Sequence, residues 1–145
     1  MQIAALLYRL SITFWTGGIT LFTFILTPAL FKSLSRDHAG QIVGILFPGY
    51  FRWGLACGVI ALSTRLVMRT GASAPVILLA IMLALTSFQA FSIEPKAAAL
   101  KRQIPSFETT PKEHPLRREF SKLHAISASC NLAVVAGGIA LVVML

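Results

Sequence analysis

The sequence predicts an all-α integral membrane protein, a bundle of four transmembrane helices. Three observations lead there. Only 12% of the 145 residues are charged and 56% are hydrophobic, whereas a soluble domain of this size carries about 25% charged residues. The apolar residues gather into four runs, each long enough to cross the roughly 30 Å hydrocarbon core of a bilayer. The basic residues, which give the chain a net charge of +8, lie mainly between those runs. There they can meet lipid phosphates and set topology.

The first run covers residues 3–31. It lacks the basic start, short apolar stretch and small-residue cleavage site of a signal peptide, so it reads as a retained helix. The second covers 42–68 and contains "FPGY" at 47–50, where Pro48 and Gly49 predict a kink. The third covers 74–93 and is closed by Glu94-Pro95, and the fourth covers 120–145. Between them lie a short polar loop at 32–41 with Asp37 as helix N-cap, a tight turn at 69–73, and a long proline-bearing loop at 94–119. Pro115 suits the first turn of a helix leading into span four. No internal repeat divides the chain, so residues 1–145 form one four-helix domain.

Loops one and three share a side. They and the flanking turns hold Lys32, Arg36, Lys96, Lys101, Arg102, Lys112, Arg117, Arg118 and Lys122. The opposite side holds Arg9, Arg65 and Arg69. Nine against three places loops 32–41 and 94–119 in the cytoplasm and both termini outside. No basic stretch is interleaved with stacking aromatics, which excludes nucleic acid as a partner. The lipid bilayer is the partner that the composition implies.

Lipid tails are as apolar as leucine, so membrane helices associate through small and polar residues. Each span should carry one such stripe. Arg9, Thr13, Thr16, Thr20, Thr23 and Thr27 are spaced 4, 3, 4, 3, 4 and fall within about 80° of helical arc. In span two, Tyr50, Gly54, Cys57, Ala61 and Thr64 align, with Gly54 and Gly58 as a GxxxG pair offering a contact face for a homo-oligomer. In span three, Thr86, Gln89 and Ser92 share a face. In span four, His124, Ser127, Asn131, Val135 and Gly138 do so, and Cys130 lies off it.

An internal polar seam of His124, Ser127, Asn131, Gln89, Thr16, Thr20, Thr23, Thr27 and Arg9 is therefore expected, wetter at its cytoplasmic end. Gly17, Gly54, Gly58 and Gly138 are expected to serve helix packing. Arg52, with Tyr50 and Trp53, is expected to anchor at the membrane interface. Trp15 is expected in the core. The alternative for the threonines is structural glue, with hydroxyls bonded back to helix carbonyls. No motif of a hydrolase, P-loop or zinc site is present, and Glu94 at a span end is the carboxylate nearest to a membrane interior.

"FWTGGITLFTFILTPALFKSL" (14–34), "AGQIVGILFPGYF" (39–51), Pro95 and "FSKLHAISASCN" (120–131) together resemble a family of four-span proteins. It contains the human transmembrane protein 205 and bacterial relatives, grouped as domain-of-unknown-function family 4149. Trp15, Gly17, Pro28, Phe31, Ala39, Gly40, Tyr50, Leu123, His124, Ser127 and Asn131 carry the likeness. The human relative's association with resistance to platinum drugs implies export or trafficking. A more distant similarity to copper-resistance D and HemJ-type membrane proteins implies haem or copper. This chain has one histidine near a span, so such a site needs a further ligand. His124 with Cys57 or Cys130 is the candidate set.

Three functions remain open at this point. The first is transport or permeation of a small molecule or metal compound by a homo-oligomer. The second is a structural or assembly subunit of a larger membrane complex, and the third a haem- or copper-binding redox protein. An enzyme is the less expected outcome, and a bacterial inner membrane the expected location.

Overall fold

The computed structural model describes residues 2–68, 71 and 73–145; Arg69, in the expected second turn, lies outside them. Four helices are long and apolar enough to cross a membrane: α1 (Gln2–Ser33), α2 (Arg36–Met68), α3 (Ala74–Gln103) and α4 (Pro115–Val143). They form a ring. α1 packs on α2, α2 on α3, α3 on α4, and α4 closes back on α1. At 29 to 33 residues each, the helices are about 44–50 Å long, well beyond the hydrocarbon thickness. Their loop-side ends therefore extend into the headgroup region.

The helices outrun the expected spans. α2 begins at Arg36, where the Ser35 hydroxyl accepts from the His38 amide at 3.4 Å. Ser35, not Asp37, is thus the N-cap. The 94–119 loop is helical at both ends, over Glu94–Gln103 and from Pro115 onward. Pro115 does occupy a first helical turn, capped by His114, whose Nδ1 accepts from the Leu116 amide at 3.3 Å. Pro48 lies inside the continuous helix Arg36–Met68, so no separate interfacial piece forms there.

A loosened turn explains how α1 runs past Pro28 and how α3 continues past Pro95, where the span was expected to close. Each contains one wide, π-helical turn, Phe22–Leu26 and Gln89–Ile93, ending two positions before Pro28 and Pro95. A proline ring collides with the carbonyl four residues back and removes that residue's hydrogen bond. For Pro28 and Pro95 those carbonyls belong to Phe24 and Phe91, inside the two wide turns. Loosening the turn moves the carbonyl aside, and the helix continues past the proline.

The core lies in the half of the bundle away from loops one and three. Trp15, Ile12, Leu79, Met82, Val134 and Leu141 are all 2% exposed or less. Trp15 is the knob. It fills a socket made by Gly54 and Gly58: a Cβ on Gly58 would lie 2.7 Å from the Trp15 ring and 2.8 Å from Leu83 Cδ1, and one on Gly54 would lie 3.0 Å from Trp15 Nε1. The small residues of α2 are consequently consumed inside the chain, and the oligomer face expected there is closed. Gly138 plays the same part between α4 and α1, where a Cβ would collide with Thr16 Oγ1 and lie 2.9 Å from Thr16 Cγ2. Gly17 does not pack. It is exposed, and a Cβ there meets nothing within 4 Å.

The buried line of α1 is Tyr8, Ile12, Trp15, Ile19 and Phe22. Each precedes a member of the Arg9–threonine series by one residue, so that series lies about 100° round from the core line. Its outer members, Arg9 and Thr13, are exposed, while Thr16, Thr20, Thr23 and Thr27 are half-buried. Large side chains won the interior because glycines on α2 and α4 made room for them. Arg52 is exposed at the midpoint of α2, 16 residues from either end. With the helix unbroken, that position is far from both of its ends and does not suit an interfacial anchor. Trp53 lies on the outer surface against α1, its ring edge-on to Phe14 at 6.1 Å and its Nε1 donating to the Phe14 carbonyl at 3.5 Å.

Candidate functional site

The loop-side half of the bundle is hollow. A cleft of about 680 Å³ opens among the end of α1, the start of α2, the end of α3 and the start of α4. That volume lies in the range of pockets that hold a small organic molecule. Its floor is a pair of interhelical hydrogen bonds. The Tyr50 hydroxyl donates to Asn131 Oδ1 at 3.1 Å, and the Ser127 hydroxyl donates to Gln89 Oε1 at 2.9 Å. Gln89 is 1% exposed, where an unpartnered amide would cost about 1–3 kcal/mol. Below this floor, toward the termini, the packed core begins.

Tyr50 therefore belongs to the site and not to a membrane interface. Its ring stacks on Phe22 at a centroid distance of 4.5 Å and meets Phe51 edge-on at 5.1 Å. This aromatic cluster holds the phenol over Asn131. Thr23 and Thr27 line the cleft from α1, and the Thr27 hydroxyl is buried with no hydrogen-bond partner among the described residues. Of the expected seam, Ser127, Asn131, Gln89, Thr23 and Thr27 converge. Thr16 lies deeper, against Gly138, and Arg9 is exposed on the far side. Thr86 bonds back to the Met82 carbonyl at 2.9 Å, the glue role.

His124 lines the cleft but is exposed, its ring stacked parallel on Phe120 at 6.4 Å. Neither Cys57, buried in the core, nor Cys130, half-buried on α4, lines the cleft. Among the described residues no three His, Cys, Asp or Glu side chains gather as a metal site would require. The structure thus leaves His124 without the partners expected for it from the two cysteines.

Two charged residues of the cleft escape a reading of the sequence that ends span three at Pro95. Because α3 continues, Glu94, Ala97, Ala98 and Lys101 fall on one face and all line the cleft. The Lys101 ammonium donates to the Gly40 carbonyl of α2. Gly40 and Gly44 make its seat, since a Cβ on them would come within 3.4 and 3.3 Å of Nζ. The signal was present in "EPKAAALKR", a strong helix-forming stretch with proline at a tolerated early position.

Loop three roofs the mouth. Asp37, in the first turn of α2 ahead of the apolar run, accepts from the Ser106 hydroxyl at 2.6 Å and from the Phe107 amide at 2.7 Å. The Ser106 hydroxyl first, and then the Phe107 amide, hold its carboxyl below the usual carboxylate range. Glu108 accepts from the Arg36 amide at 2.6 Å. From α4, Arg117 donates to the Phe107 carbonyl at 3.0 Å and lies 5.4 Å over the Phe107 ring. Phe107 in turn meets Phe120 edge-on at 5.0 Å. The chemistry on offer is recognition: a polar floor, aromatic walls and a cationic rim.

Comparison with known proteins agrees with the four-helix layout. Residues 10–106 match the family described as domain of unknown function (DUF4149). An uncharacterized protein of Aquifex aeolicus (strain VF5) is 32% identical over 125 residues, a stretch covering 86% of this chain and 83% of that protein. No solved structure matches the chain. The match takes in α2 and α3 entire, most of α1 and the start of loop three, and with them Glu94 and Lys101 of the cleft wall and the Tyr50 and Gln89 side chains that hold Asn131 and Ser127 from behind its floor. With more than half of its length matched, this four-span membrane protein belongs to the DUF4149 family.

Proposed function

We propose that the protein takes part in small-molecule permeation across a bacterial inner membrane, with the loop-side cleft as its binding site. The observation that carries this reading is the hollow itself. A four-helix bundle has no packing need for a cleft of about 680 Å³, since cavities lose contact energy. The cleft has a polar floor tied by two interhelical hydrogen bonds. It is one-ended, so the reading is of uptake and release by conformational change, not of an open pore. The excess of basic residues on the loop side supports a cytoplasmic mouth and termini on the outer side.

The test is efflux of carboxyfluorescein, a small aromatic anion, from proteoliposomes. Protein-dependent efflux that falls several-fold in Asn131→Ala and Ser127→Ala supports the reading. Efflux at the protein-free rate, or efflux indifferent to both substitutions, removes it.

A second reading, a structural or assembly subunit of a larger membrane complex, is favoured by Arg52. An outward guanidinium at the midpoint of an apolar helix costs about 2.5–3.5 kcal/mol on insertion scales, and a protein neighbour would relieve that cost. A haem or copper site is the third reading, with His124 as one ligand. A colourless, metal-free preparation from cells supplied with haem precursor and copper argues against it.

A further inference from the structure

The cleft is not closed on all four sides. α1 meets α4 through its Gln2–Leu21 part, while its final segment Thr27–Ser33 packs on α2. On the facing stretch of α4, Ser121, His124, Ala125 and Ala128 are exposed. Thr27 and Phe31 thus look across a slot at Ser121, His124 and Ala128, and all five line the cleft. In a bilayer such a slot faces the acyl chains of the loop-side leaflet. A cavity that opens sideways into lipid is reached by molecules that already reside there.

The charge inside is one-sided. Arg36, Lys101, Arg102 and Arg117 line the cleft, against the single carboxylate of Glu94. Lys101 has three donors and spends one on the Gly40 carbonyl, so two remain. Glu94 and Asp37 are within electrostatic reach of it, yet Asp37 is itself committed to Ser106 and Phe107. Cations held in a partly desolvated hollow call for an anion, and phosphate and carboxylate are the groups that lysine and arginine forks fit. Beside the polar floor, the walls include Phe22, Phe31, Phe47, Ile93 and Leu123, which suit hydrocarbon.

We infer that the cleft binds a membrane amphiphile with an anionic phosphate or carboxylate head. The head sits on Lys101 under the Arg36, Arg102 and Arg117 rim, and the chain leaves through the slot between α1 and α4 into the leaflet. The inference rests on the cleft being a binding site and names what occupies it. Lysine contributes the seated charge, the glycines of α2 the room for it, and the slot the route of entry.

Three probes separate head, chain and charge, each scored by native mass spectrometry of the full chain released from detergent. They are 1-oleoyl lysophosphatidate, monooleoylglycerol with the same chain and no charge, and glycerol 3-phosphate with the same head and no chain. Lysophosphatidate is expected to bind at least tenfold more tightly than either of the others. Lys101→Gln should weaken it about tenfold, the size of one lost charge-assisted hydrogen bond, and Lys101→Arg should restore it to within about threefold. Ala128→Trp, which fills the slot from an exposed position, should weaken it as well. If Lys101→Gln does not fold, the exposed pair Arg36→Gln and Arg102→Gln gives the same readout.

Equal binding of monooleoylglycerol would refute the anionic head. Equal binding of glycerol 3-phosphate would refute the lipid source while leaving an anion site in the cleft. Lysophosphatidate binding unmoved by every substitution would place it elsewhere on the protein. A chain that moves carboxyfluorescein but binds no lysophosphatidate keeps the permeation reading and loses this one; the reverse result does the opposite.

Discussion

Replacing Gly138 with alanine drives a methyl carbon into Thr16 Oγ1 and places it 2.9 Å from Thr16 Cγ2 and 3.1 Å from Thr16 Cβ. Real carbon contacts do not come this close, so α1 and α4 must part or Thr16 must move. Overpacking of this kind costs about 1–3 kcal/mol. A clash with three Thr16 atoms at once belongs in the upper half of that range, about 2–3 kcal/mol; alanine recovers about 0.5–1 kcal/mol through its better helix propensity, leaving a net loss of about 1–2.5 kcal/mol. Thr16→Ala by itself behaves differently. The Thr16 hydroxyl is buried with no hydrogen-bond partner among the described residues, so its removal relieves a desolvation cost while losing a methyl contact. These are of similar size, about 1 kcal/mol each, and the substitution should be close to neutral. In the double variant two of the three close contacts vanish, and most of the Gly138→Ala penalty should go with them. Unfolding in mixed micelles titrated with dodecyl sulfate, followed by helix content, gives all four corners of the cycle. A coupling energy of at least about 1 kcal/mol is expected for residues in contact. A Gly138→Ala protein as stable as its parent, or a penalty that survives in the Thr16→Ala background, would refute the proposed contact between α1 and α4.

Further predictions concern the socket, the floor and the roof. Gly17→Ala, with open space around it, should be neutral or stabilising by up to about 1 kcal/mol, whereas Gly58→Ala should cost about 1–3 kcal/mol against Trp15 and Leu83; the same titration ranks them. Tyr50→Phe removes the donor to Asn131 and should cost about 0.6 kcal/mol, at most about 1.7, with loss of carboxyfluorescein efflux as its functional readout. Asp37→Asn should release loop three, seen as faster hydrogen exchange at the Phe107 amide. The Asp37 carboxyl is held below its ordinary range by that loop, so the tether is fully present above the unfolded-state value and is lost as pH falls through the lower, folded one. Protection of Phe107 should be flat near neutrality, collapse in acid, and lose that pH dependence in Asp37→Asn.

The four apolar helices were legible because the bilayer imposes their length and leaves the backbone no other way to satisfy itself. The Ser127–Asn131 face was legible because its spacing is helical and its groups are costly to expose to hydrocarbon. Gly138 could be marked as a packing residue, but Gly17 could not be told apart from it. Both are glycines on a plausible face, and only a neighbour's approach distinguishes them. Gly54 and Gly58 were identified as a contact surface, yet the sequence does not say whether the contact is another chain or the side chain of Trp15. Tyr50 looked interfacial because Pro48 suggested a helix boundary. An unbroken α2 carries it into the bundle. The docking of loop three on Asp37, across some seventy residues of sequence, has no local signature at all.

Proline misled most at Pro95, and the consequence reaches the site. Ending span three there leaves Glu94 at a membrane edge and Lys101 in a loop. The wide turn Gln89–Ile93 absorbs the proline, the helix runs on to Gln103, and both residues become cleft walls one above the other. They are seven helical positions apart, a rise of about 10 Å. At an effective dielectric of about 20, a charge on Glu94 opposes an anion seated beside Lys101 by roughly 1.5 kcal/mol. Glu94→Gln should therefore tighten lysophosphatidate binding by up to about tenfold, with Lys101→Gln having the opposite sign and the double variant falling between. Native mass spectrometry at several lipid concentrations measures the three constants. A weaker or unchanged affinity in Glu94→Gln would mean that the carboxyl does not face the bound head as a charge, and that the ligand enters a part of the cleft where Lys101 acts without it.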